Sequence, residues 1–180
     1  KKKDAYYNRG LVYEKLGQTK NAENDYTKAL ELDSNYVKCY NSRAVLKMNN
    51  SDFNGAIEDY NKALVLSPRS SEIYYNRGIA EYNADRLQNA LADFTKAISI
   101  APDNAKFYYN KAVVEEQLKN FKAAISNYTK AIEFDATCYQ AYIGRGLIYS
   151  RQGKLKLALA DLDMAIKINP KDSDTFYNKG

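Results

Sequence analysis

The pentapeptide YYNRG occurs twice, at 6–10 and at 74–78, and blurred copies fall between and after the two. The small residue that closes each copy sets a register: Gly10, Ala44, Gly78, Ala112, Gly146 and Gly180, each 34 residues from the last with no insertion. A fixed period of this length means that one unit cannot bury its own apolar face and must stack on its neighbours. Other columns keep the same step. Tyr6, Tyr40, Tyr74, Tyr108 and Tyr142 form one, and Ala22, Ala56, Ala90, Ala124 and Ala158 another. Four residues on stand Tyr26, Tyr60, Phe94, Tyr128 and Leu162, then Ala29, Ala63, Ala97, Ala131 and Ala165. Pro68, Pro102 and Pro170 close three units, with Ser34 and Ala136 at that place in the others.

Within a unit the apolar spacing is helical. Tyr6, Gly10 and Tyr13 share one stripe. Ala22, Tyr26, Ala29 and Leu30 form a second stripe after a break at Leu16-Gly17-Gln18. Each unit therefore reads as two antiparallel helices joined by a short turn. Gly10 on the first helix and Ala22 on the second allow close approach, and the aromatics fill the gaps beside them. Proline lacks an N–H and clashes with the preceding turn, so Pro68 and its equivalents end the second helix. Asn35, Ser70 and Asp103 stand where they can cap the next first helix. The reading is an all-α array over 1–180, with repeats at 3–36, 37–70, 71–104, 105–138 and 139–172 and a partial sixth at 173–180. The stop at Gly180, inside a first helix, is read as the edge of a window cut from a longer array.

Composition closes off several alternatives. The chain has 17 Tyr, no Trp and no His, so the commonest general base and metal ligand is missing. No nucleophile elbow, P-loop or carboxylate cluster appears, and neither catalysis nor a cofactor is expected. Cys39 and Cys138 lie 99 residues apart and form no zinc spacing or disulfide framework, which suits a reducing compartment. No apolar run is long enough to span a membrane. The net charge is +5, but its sign alternates from repeat to repeat through the first four, which leaves no continuous basic stripe for nucleic acid.

The columns resemble the tetratricopeptide repeat (TPR), a 34-residue helix–turn–helix family with aromatic, small, tyrosine, alanine, aromatic, alanine and proline positions at set offsets. Here Tyr6, Gly10, Tyr13, Ala22, Tyr26, Ala29 and Ser34 hold those places in the first repeat. Tyr74, Gly78, Glu81, Ala90, Phe94, Ala97 and Pro102 hold them in the third. The second tyrosine is replaced by Lys47, Glu81 and Glu115, which predicts looser packing in the middle repeats. The resemblance implies a right-handed α-solenoid, the TPR superhelix, whose first helices line a concave surface that takes an extended peptide or a partner helix.

On that reading, residues that packing does not consume are the binding candidates. Tyr7, Asn41, Tyr75, Tyr109 and Ile143 form one column, and Asn8, Ser42, Asn76, Asn110 and Gly144 the next. Leu11, Val45, Ile79, Val113 and Leu147 follow one turn on. The asparagines resemble the ladder of some long TPR arrays, in which each amide bonds a peptide backbone through both donor and acceptor. The competing reading has them bonded locally. A cationic column, Arg9, Arg43, Arg77, Lys111 and Arg145, precedes Asp25, Asp59, Asp93, Asn127 and Asp161 by 16 residues. These read as structural ion pairs, with arginine chosen for its bidentate fork. Lys28, Lys62, Lys96 and Lys130 read as a solvated outer face. The carboxylate clamp with which TPR co-chaperones grip heat-shock proteins fits no frame here.

The expected function is a non-catalytic scaffold for a protein partner, as a subunit of a larger complex. The expected setting is intracellular and cytoplasmic, with a ciliary or cytoskeletal assembly as one form of it. The alternatives are a recognition arm for an enzyme elsewhere in a longer protein, and an RNA-binding helical repeat.

Overall fold

The computed structural model describes residues 1–170, which form ten helices and no strand. They are α1 (Lys2–Lys15), α2 (Thr19–Leu32), α3 (Val37–Asn49), α4 (Phe53–Leu66), α5 (Ser71–Asn83), α6 (Leu87–Ile100), α7 (Ala105–Gln117), α8 (Phe121–Phe134), α9 (Tyr139–Arg151) and α10 (Leu155–Ile168). The partial repeat expected at 173–180 lies outside the described residues. The chain falls into two compact units, Lys1–Ile100 and Ala101–Gly180.

One turn design makes every hairpin. Its central residue adopts a left-handed conformation: Gly17 (φ 70°), Ser51 (63°), Asp85 (59°), Lys119 (61°) and Gly153 (72°). In the first hairpin the Gly17 N–H donates to the Glu14 carbonyl at 3.0 Å and the Gln18 N–H to the Tyr13 carbonyl at 2.9 Å. This pair of bonds recurs in all five hairpins and satisfies the carbonyls that a helix end leaves open. Glycine fills the site at no steric cost in two turns. Ser51, Asp85 and Lys119 adopt it against the preference of a β-carbon-bearing residue.

The alanine and aromatic columns form the cores. In the first unit Ala22, Tyr26, Ala29, Ala56, Tyr60, Ala63, Ala90, Phe94 and Ala97 are buried. In the second Ala124, Tyr128, Ala131, Ala158, Leu162 and Ala165 are. Gly10 lies so near the Tyr26 ring that a β-carbon there would stand 2.6 Å from it, and at Gly78 one would stand 2.8 Å from Phe94. Pro68 and Pro102 follow the ends of α4 and α6.

Two local expectations change. Ser70 caps α5 by accepting the Ile73 N–H at 3.3 Å, but α3 and α7 start one residue later than Asn35 and Asp103 imply. Tyr36 stands at the N-cap of α3 and its side chain makes no capping bond to the helix, whereas Asn104 caps α7 through the Lys106 N–H at 3.1 Å. The middle repeats are also not looser at the second-tyrosine column. Glu81 and Glu115 are buried there, whereas Tyr13 and Tyr149 are only half-buried. Each replacement finds a polar partner: Glu115 accepts from Asn120 Nδ2 at 2.8 Å, and Lys47 Nζ sits 3.0 Å from Asp59.

Candidate functional site

The first helices carry the candidate columns, and the structure divides those columns by what each side chain already touches. Tyr7, Tyr75 and Tyr109 lean onto the second-helix aromatic of their own repeats. Ring centroids are 5.8 Å apart for Tyr7–Tyr26, 5.8 Å for Tyr75–Phe94 and 6.0 Å for Tyr109–Tyr128. These tyrosines therefore serve the core with one face and stay half-buried with the other.

The asparagine column is uneven for local reasons. Asn8 is exposed and Asn76 half-buried. Asn110 Nδ2 donates to the Lys106 carbonyl at 2.9 Å, one turn back on α7. Ser42, where the ladder lacks an asparagine, lies 3.2 Å from the Tyr7 hydroxyl. Gly144, the other gap, faces Tyr128: a β-carbon there would stand 2.4 Å from the ring. Both gaps thus belong to packing between successive repeats.

In the first unit α3, α4 and α5 line an open pocket of about 140 Å³ formed by Val45, Met48, Asn49, Tyr60, Asn76 and Ile79. Three candidates from two columns, Val45 and Ile79 from one and Asn76 from the other, meet there. Asn41, one turn before Val45 on the same face of α3, keeps its Oδ1 buried with no hydrogen-bond partner among the described residues. Tyr60, Met48 and Asn49 were not among the sequence candidates. Their signal lay in the column 12 residues before the second-helix aromatic, where Met48 and Tyr82 replace the Glu14 and Glu116 of other repeats.

The cationic column is committed elsewhere. Arg9, Arg43, Arg77 and Arg145 each grip both oxygens of the aspartate 16 residues on, at 2.6–2.8 Å. Three of them also reach the preceding second helix: Arg43 Nη1 to Thr27 at 2.9 Å, Arg77 Nη1 to Asn61 at 2.6 Å and Arg145 Nη1 to Thr129 at 2.9 Å. Arg9 lacks this third bond and its side chain is 55% exposed, against 12% for Arg43. The Arg9 hydrogen bond holds the Asp25 carboxyl below its ordinary range. Each guanidinium also lies 5.5–5.9 Å from the ring of Tyr6, Tyr40, Tyr74 or Tyr142. Lys28 and Lys62 also approach the rings of Tyr6 and Tyr40, with Nζ 5.7 and 5.8 Å from the centroids.

Among the described residues no helix is long and apolar enough to cross a membrane. None of their Cys, Asp and Glu side chains gather into a group that could hold a metal ion.

Stacked helical hairpins with a first-helix surface left partly unspent define the class: an α-solenoid of repeats. Three tetratricopeptide repeat profiles match the sequence, one at 4–36 and 139–172, one at 41–105 and one at 105–138. The chain belongs to the tetratricopeptide repeat family. It is similar to the solved structure of MamA, with 28% identity over 92% of this chain and 96% of that one, at a TM-score of 0.86. It is similar in fold to MamA residues 41 to the end from Desulfovibrio magneticus RS-1, at 17% identity, 96% and 98% coverage and a TM-score of 0.88. YrrB, described as a TPR protein with an unusual peptide-binding site, shares 21% identity over 97% of this chain and 90% of its own, at a TM-score of 0.81. No curated protein sequence matches this chain.

Proposed function

We propose that this chain is a non-catalytic scaffold that holds an extended segment of a partner protein on its first helices, within a larger assembly. The observation that carries this reading is the α3–α5 cavity, where Val45, Asn76 and Ile79 meet and the Asn76 amide bonds no described residue. Asn8 is exposed on the same column of α1. An amide offers donor and acceptor together, which suits a peptide backbone of any sequence. The tyrosines beside them add rigid contact area at low entropic cost. YrrB, a neighbour in fold, is described as binding peptide.

The test compares the native chain with an Asn8→Ala, Asn76→Ala double variant of equal helicity, both immobilised against a display library of linear peptides. Peptides retained by the native chain and lost by the variant are the expected result. If both retain the same peptides equally, the asparagines are packing consensus and the interface lies on another face.

A further inference from the structure

The second-helix aromatic column shows how this chain treats a buried phenol. Tyr26 donates to Glu14 at 2.7 Å, and Tyr128 donates to Glu116 at 3.0 Å, each to a carboxylate 12 residues earlier in its own repeat. In the third and fifth repeats that acceptor is absent, and so is the hydroxyl: Phe94 and Leu162 stand there. The second repeat breaks the rule. Met48 occupies the acceptor column, yet Tyr60 keeps its hydroxyl and makes no hydrogen bond to the described residues. Tyr60 is 1% exposed, and it lines the 140 Å³ cavity.

We propose that this cavity is a specificity pocket for one carboxamide side chain, glutamine or asparagine, of the bound protein segment; the inference rests on the scaffold reading above. Tyr60 offers a donor that nothing in the fold consumes. Burial raises its ionisation well above the ordinary 10.0, so the proton stays in place at physiological pH. Across the cavity Asn76 and Asn49 present amides that bond no described residue, and the buried Asn41 Oδ1 nearby on α3 waits for a donor. Val45, Met48 and Ile79 supply apolar walls for a short aliphatic stem.

The chemistry selects among side chains. No charged group lines the cavity. A carboxylate there would lose part of its hydration beside the charges of Glu72 and Asp59 that act on Tyr60, and an ammonium would find no charged acceptor among the lining residues. An aliphatic side chain would displace water from the phenol and the amides and leave them unpaired. A carboxamide answers both needs: its oxygen accepts from Tyr60, and its NH₂ donates to an asparagine oxygen. A volume of about 140 Å³ suits one such side chain.

The experiment selects linear peptides from a display library on the native chain, then measures their affinities for Tyr60→Phe and Tyr26→Phe variants. The expected peptides share a glutamine or asparagine at one position. Tyr60→Phe should weaken them about five- to tenfold, the worth of one neutral hydrogen bond. Replacing that peptide residue by leucine should cost as much, and the two changes together little more. Tyr26→Phe should leave affinity unchanged. Peptides that depend on Asn76 but lack the shared carboxamide, or ignore Tyr60→Phe, would overturn the pocket and leave the scaffold reading standing. Failure to select any peptide that depends on Asn8 or Asn76 would overturn both.

Discussion

Removing one oxygen from Tyr26 and one from Tyr60 should have opposite consequences for stability. Both rings are buried, at 0% and 1% exposure, and phenylalanine leaves either ring in place. Tyr26→Phe deletes a 2.7 Å bond to the Glu14 carboxylate. A hydrogen bond to a charged acceptor contributes about 1.5–3 kcal/mol. Glu14 is half-buried and can recover water, which places the loss near the lower end, about 1.5 kcal/mol. Tyr60→Phe deletes a hydroxyl that bonds no described residue, so the change should be neutral or stabilising by up to about 1 kcal/mol. Urea unfolding followed by circular dichroism reads the difference as a shift in midpoint at constant slope. A Tyr60→Phe loss as large as that of Tyr26→Phe would mean that its hydroxyl is engaged within the fold, and the argument from Met48 would fail.

Three further outcomes follow from the same geometry. A β-carbon at Gly17 meets nothing within 4 Å, so Gly17→Ala should cost about 1 kcal/mol through backbone conformation alone, while Lys119→Gly should stabilise by a similar amount in thermal unfolding. Arg77→Lys keeps the charge but loses the fork on Asp93 and the reach to Asn61, and should cost about 1–2 kcal/mol; Arg9→Lys, at a side chain 55% exposed and without a third bond, should shift the same melt less than Arg77→Lys does. Burial pushes the Cys39 thiol from 9.0 to about 12 and the Tyr36 phenol from 10.0 to about 12. Both folded values lie above the unfolded ones, so their stabilisation is complete below pH 9 and fades as pH climbs toward 12; Cys39→Ala should flatten the first part of that decline in a pH series of melts.

The hairpins were legible because the alanine and aromatic columns repeat at fixed offsets, and helical spacing is the only pattern that puts Ala22, Tyr26 and Ala29 on one side. The 16-residue step from Arg43 to Asp59 likewise pointed to a pair, since charge and partner vary together down the columns. What escaped the sequence depends on neighbours in space. Glycine announces the left-handed turn at Gly17 and Gly153, but Ser51, Asp85 and Lys119 adopt it only because two backbone bonds hold them there. Glu81 and Glu115 read as loosening a packing column, yet each is buried with an amide partner nearby. Gly144 looked like a missing asparagine, when the Tyr128 ring already occupies its space. Tyr60 stood in a packing column, and only the identity of Met48 one column away marks its hydroxyl as spare.

The arginines that reach forward to an aspartate and back to Thr27 or Asn61 give the second repeat the same fitting at both ends, and Arg145 makes the same joint to Thr129. A repeat so built is an interchangeable part. An in-frame duplication of residues 37–70 would present Arg43 to the Asn61 of the copy before it, as Arg77 does now, and its own Asn61 to the arginine that follows. Such a chain can grow or shorten by whole repeats without inventing a new joint, so its length is open to change by a single copying error.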